Sequence, residues 1–115
     1  MATSEECRTA LTRLSENLAR SQGDVRSAAA VDRSLTCWVT DLDVTFSGHL
    51  RDGRIQDVVE TPGPPAEKAQ IRLAMASDDL VALVAGQLHF ASAWAHGRVR
   101  LEAGLRDLLR LRSLI

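Results

Sequence analysis

The chain has 115 residues, 45% of them hydrophobic and 25% charged, with a net charge of −1 at pH 7. That length fits one domain with a core needing no disulfide or metal support, and the composition excludes a disordered tail or a fibre. Cys7 and Cys37 form no CxxC pair, and aromatic residues make up only 3% with no tyrosine, which argues against a zinc ribbon and against nucleic-acid binding.

The first element reads as a helix. Thr3 followed by Glu6 is a capping-box pattern, and Cys7, Leu11, Leu14 and Leu18 form one apolar stripe. Gly23 is the expected stop, and residues 24–31 read as a short alanine-rich turn. From Leu35 the period becomes two: Leu35, Cys37 and Val39 alternate with Thr36, Trp38 and Thr40. Asp41-Leu42-Asp43 reads as a turn and nothing more. A second strand follows, with Val44, Phe46, Gly48 and Leu50 on one face and Thr45, Ser47, His49 and Arg51 on the other.

Asp52-Gly53 is a tight hairpin signal, because both residues tolerate positive φ. Arg54 to Glu60 is the returning strand. Thr61 to Ala66 carries three prolines and is expected to break regular structure. Ile71, Leu73 and Met75 begin a fourth strand, and Ser77 is expected to cap a helix with Asp78 and Asp79 in its first turn. Leu80, Leu83 and Val84 face one way on that helix. After Gly86 comes a short helix with Phe90 and Trp94 one turn apart, its ends marked by His89 and His96 and closed by Gly97. Arg98 to Ala103 is a fifth strand, and Leu105, Leu108 and Leu109 stripe a last helix. The predicted class is α+β: one five-stranded, largely antiparallel sheet with helices packed on one face.

The residues show little catalytic machinery. His49, His89 and His96 have no spacing that assembles a metal site or a triad, and the glycines punctuate turns without forming a phosphate loop. No cofactor, metal ligand or catalytic residue is expected. From Arg98 onward five arginines face only Glu102 and Asp107, a local excess of +3 that suits steering of an anionic group better than a nucleic-acid footprint. With no long apolar run and no leader pattern, the expected location is a reducing cytoplasm.

The stretch SDDLVALVAGQLHFASAWAHGRVRLEAGLRDLLRL resembles the second half of a sterol carrier protein type 2 domain. The ordered set carries the likeness: Ser77-Asp78-Asp79-Leu80, Gly86-Gln87-Leu88, the Phe90–His96 segment, Gly97-Arg98-Val99-Arg100-Leu101 and the leucines from Leu105 to Leu111. The Arg51–Ile55 hairpin fits as well. The resemblance is clearest over residues 35–111 of a single domain spanning 1–115, and is to small, free-standing members of bacterial type.

The resemblance implies non-enzymatic binding, and transfer, of a hydrophobic molecule of sterol-like, fatty acyl or polyketide type between sheet and helices. Carried over by position, the lining is Met75, Leu80, Leu83, Val84, Phe90, Trp94, Leu101, Leu105 and Leu108. The partners it implies are that small molecule and a transient membrane contact. Two other readings stand beside it. One is a small enzyme of specialised metabolism that shapes an apolar substrate in the same pocket, with His49, His96 or Glu102 moving protons. The other is an interaction module or homodimer, with Trp94 or the Leu111, Leu114 and Ile115 end as an exposed patch.

Overall fold

The computed structural model of the chain describes residues 1–20 and 32–106. The expected stop at Gly23, the alanine-rich turn and the last helix with Leu108, Leu109 and Leu111 lie outside the described residues, as does the side chain of Leu18. Helix α1 (Ser4–Arg20) leads into strands β1 (Arg33–Val39), β2 (Val44–Arg51), β3 (Arg54–Pro62) and β4 (Ile71–Met75). Helices α2 (Ser77–Val84) and α3 (Phe90–Ala95) and strand β5 (Val99–Ala103) complete the order. The fold is α+β, as expected.

The strands lie in the order β3-β2-β1-β4-β5. All pairs are antiparallel except β1 with β4, which run parallel because the chain crosses over β1 through β2 and β3. Registers align the inward residues into transverse rows. Val44, Val39, Met75 and Val99 form one row, and Phe46, Cys37, Leu73 and Leu101 the next. A third row holds Gly48, Leu35, Ile71 and Ala103.

Capping at α1 is reciprocal, as the Thr3–Glu6 pattern predicts. The Glu6 N–H donates to Thr3 Oγ1 at 3.1 Å and the Thr3 N–H to Glu6 Oε1 at 3.2 Å. The helix buries Cys7, Ala10 and Leu11 against the sheet. Ser15 both donates to and accepts from the Ile55 backbone, so α1 satisfies part of the open edge of β3. Arg8 reaches Glu60 at 3.3 Å and lies 5.6 Å from the Phe46 ring centroid.

The hairpin residues Asp52 and Gly53 both take positive φ, 55° and 72°, as the two-residue turn requires. Strand β3 departs from simple alternation. The register shifts between Ser47 and His49, and Asp57, at φ 56°, is the extra residue of a bulge. Val58 therefore packs into the core, and Val59 is left 57% exposed on the other face. Gly48 sits opposite this bulge, where an added Cβ would lie 2.8 Å from the Gln56 carbonyl oxygen.

Four expectations need correction. Strand β3 runs on through Thr61 to Pro62, because an edge strand tolerates the loss of the N–H donor that proline lacks. Ser77 does not cap α2: it is the first helical residue, Ala76 holds the N-cap position without a side-chain bond, and Ser77 is capped by Asp41. Asp41 is thus more than a turn residue. Arg98 precedes β5 and is ion-paired with Asp79 of α2, so it is not a free surface charge.

Both short helices end in Schellman motifs. Gly86, at φ 78°, donates to the Leu83 carbonyl and Gln87 to that of Ala82; Gly97, at φ 76°, donates to Trp94 and Arg98 to Ala93. These closures turn the chain twice within a few residues. They bring α3 back over β5.

Candidate functional site

The helix-facing side of the sheet carries two apolar clusters. The first joins α1 and α2 to the sheet through Cys7, Leu11, Phe46, Met75, Leu80 and Val99. The second gathers at the other end of the strands, around buried Leu50, Ile71 and Leu101. Its margins are the half-buried Leu35, Ile55, Phe90 and Trp94. Leu73 and Phe90 belong to the margins of both, so the two clusters form one continuous apolar layer.

The second cluster has the features of a site. Helix α3 stands over β5 and presents Phe90 and Trp94, whose ring centroids are 6.1 Å apart at 49°. Neither ring is fully buried, whereas the floor beneath them is. The neighbouring charged residues of β4 and β5, namely Arg72, Arg100 and Glu102, project to the opposite face. The arrangement can enclose an apolar body by burial, with aromatic rings at its side and, among the described residues of the cluster, no charge in its lining.

The structure distributes the expected lining residues unevenly. Met75 and Leu80 lie deep in the first cluster, at 3% and 1% exposure, and Val84 packs against it. Phe90, Trp94 and Leu101 meet in the second. Leu83 is half-buried but joins neither cluster; the apolar face of α2 is Leu80, Val81 and Val84. Leu105 is 75% exposed, and Leu108 lies outside the described residues. Ile71, Leu50 and Ile55 are not among the expected lining residues. The alternation places Ile71 and Leu50 on apolar strand faces, but nothing local marks any of the three as a neighbour of Trp94.

The three groups considered for proton transfer do not converge. His49 on β2 and Glu102 on β5 share the outer face, separated by β1 and β4. His96 ends α3, where its Nδ1 donates to the Ser92 carbonyl at 2.7 Å. Glu102 is 3.4 Å from Arg72 Nε. Both thiols are buried: burial and neighbouring carboxylates push Cys7 up to about 11, and burial followed by Cys7 pushes Cys37 up to about 12. Neither is poised as a nucleophile. No described helix is long and apolar enough to cross a membrane.

No protein-family model matches the chain, and no curated protein does. Solved structures do. Sterol carrier protein domain 2 of Helicoverpa armigera superposes with a TM-score of 0.66 at 15% identity, covering 95% of this chain and 84% of that one. Palmitated sterol carrier protein 2-like 2 of Aedes aegypti gives 0.59 at 12% identity, covering 98% and 94%. The inverting sec-alkylsulfatase Pisa1 from Pseudomonas gives 0.56 at 21% identity over 89% of this chain. The chain spans only 16% of that sulfatase. The fold is therefore that of sterol carrier protein 2.

Proposed function

We propose that this sterol-carrier-like domain binds a hydrophobic, lipid-like molecule between its sheet and helices, without transforming it. The observation that carries the reading is the half-buried Phe90–Trp94 pair standing over the buried floor of Leu50, Ile71 and Leu101. The palmitated Aedes relative of the same fold supports an acyl chain as one ligand class. Met75, Leu80, Leu83, Val84, Phe90, Trp94, Leu101, Leu105 and Leu108 are the lining the reading assigns.

Affinity in such a site comes mainly from burial, at about 25 cal/mol per Å² of apolar surface removed from water. In this reading the domain works in the cytoplasm, and the arginine-rich C-terminal end steers an anionic headgroup or membrane surface. The test is native mass spectrometry of gently purified protein, followed by palmitate titration of delipidated protein. A co-purifying hydrophobic mass, or saturable palmitate binding, is the expected result. A protein that carries no such mass and takes up no palmitate overturns the reading.

A further inference from the structure

The face of the sheet turned away from the helices carries a second hollow. Its floor is polar: Ser47, Thr36, Arg72 and Glu102 lie in one row across β2, β1, β4 and β5, with His49 and Ser34 paired beside them. Residues 63–70 lie over this floor as a strap tied at both ends. At one end the Thr45 hydroxyl donates to the Gly63 carbonyl at 2.8 Å, and the Gly63 N–H to the Asp43 carbonyl at 2.6 Å. At the other, Ser34 and Gln70 exchange hydrogen bonds of 3.1 and 2.8 Å, and Arg72 Nη1 donates to the Ala69 carbonyl at 3.2 Å. Pro64 and Pro65 have fixed φ, which stiffens the span between these ties.

Beside the strap is a groove of about 460 Å³, and next to it a smaller hollow of about 130 Å³; Thr36 and Pro65 line both. Three polar atoms of the floor are buried with no hydrogen-bond partner among the described residues; Arg72 Nε is offset by the Glu102 carboxylate at 3.4 Å, which leaves Thr36 Oγ1, in a residue only 6% exposed, and His49 Nδ1. A native fold seldom leaves such atoms unpaired unless something completes them. The walls are apolar, with Val59, brought to this face by the β3 bulge, and with Pro65 and Ala66. The rim charges Asp57, Glu67 and Lys68 have mixed sign, so they favour neither an anion nor a cation strongly.

The geometry points to a second binding site under this strap, on the far side of the sheet from the apolar layer. It takes a compact uncharged molecule with an apolar body and one hydrogen-bonding group, an amide or an alcohol, directed at Thr36 Oγ1 and His49 Nδ1. The body packs on Val59 and Pro65. The hydrogen-bonding group pairs the two orphaned atoms, whose side chains can each donate or accept.

The experiment is an NMR titration of ¹⁵N-labelled full chain with benzamide, using benzoate and benzylamine as charged counterparts on the same ring. Benzamide should shift the amides of Thr36, His49 and Ala66 saturably, and the charged probes should bind several-fold more weakly. Thr36→Val removes the hydroxyl at nearly constant shape; it should weaken benzamide about fivefold and leave palmitate binding on the helix side unchanged. Val59→Glu, at an exposed wall position, is the second variant and should weaken benzamide with the fold intact. Absence of saturable shifts with all three probes overturns the proposal. So does a Thr36→Val protein that is more stable while the parent takes no probe, since water alone then fills the groove. Undiminished benzamide binding by both variants overturns the placement, and a preference for benzoate or benzylamine overturns the uncharged class.

Discussion

Asp41, in the turn after β1, caps Ser77 at the start of α2 with both carboxylate oxygens. The Ser77 N–H donates to Oδ1 at 2.8 Å and its hydroxyl to Oδ2 at 2.6 Å, while Ser77 Oγ also accepts the Ala2 N–H at 3.0 Å. One carboxylate thus joins the sheet, α2 and the segment before α1. It also supplies negative charge where the helix dipole favours it.

Removing that carboxylate should cost more than an ordinary surface substitution. Asp41→Ala is expected to lower stability by about 1 kcal/mol, the usual worth of an N-cap, in urea unfolding at neutral pH. Burial raises the Asp41 pKa, but hydrogen bonds from the Ser77 hydroxyl and N–H and from its own turn outweigh this, and the carboxyl lies below its ordinary value. A group lowered in the fold stabilises it above the unfolded pKa, and that contribution is lost as pH falls through the folded one. The gap between parent and Asp41→Ala should therefore close in acid. A gap that stays constant down to pH 2 would show that the carboxylate's ionisation is not what holds α2.

The thiols predict the opposite end of the pH scale. Cys7 and Cys37 rise from an ordinary 9.0 to about 11 and about 12. Groups raised in the fold contribute fully below the unfolded value, and stability falls as pH climbs from there toward the folded values. Unfolding midpoints should drop between pH 9 and 11, and less steeply in Cys37→Ala after allowance for its cavity. Both thiols should resist a thiol reagent at neutral pH until urea unfolds the chain.

Trp38 and Trp94 are the only tryptophans and sit on opposite sides of the sheet. Palmitate bound between sheet and helices should change the emission of Trp38→Phe protein, which reports Trp94 alone. The Trp94→Phe protein should stay nearly silent in the same titration. The reverse pattern would place the acyl chain on the outer face. Leu101→Ala, at the buried floor, should weaken palmitate binding and cost about 2–5 kcal/mol of stability.

Two glycines are held by different constraints. Gly86→Ala places a Cβ at φ 78°, in open space, so its cost is backbone strain of about 1–2 kcal/mol. Gly48→Ala has no φ problem but meets the Gln56 carbonyl at 2.8 Å, so the bulge must shift. Thermal melts should show both destabilised. Only Gly48→Ala should also perturb the amide resonances of Asp57 and Val58.

Much of the fold was legible because its signals are local. The capping box at Thr3 and Glu6, the Asp52-Gly53 turn and the glycine stops at Gly86 and Gly97 each need only residues a few positions apart. The alternation in β1, β2, β4 and β5 likewise assigns a face to every residue within its own strand. β3 breaks that rule at Asp57, whose αL backbone no neighbouring residue announces, and the slip exchanges Val58 and Val59 between the faces.

The sequence by itself determined the order of the described helices and strands and, outside β3, which strand faces are apolar, since propensity, period and turn chemistry act over a few residues. Only the tertiary structure decided that β1 pairs parallel with β4, that Asp41 caps α2, and that Phe90 and Trp94 stand over Leu101 and Ile71. Those relations join groups tens of residues apart, and their energies exist only once strand order has closed the distance. The same holds for the outer face, where Thr36, His49 and Val59 read as ordinary strand residues until the strap from Gly63 to Gln70 lies across them.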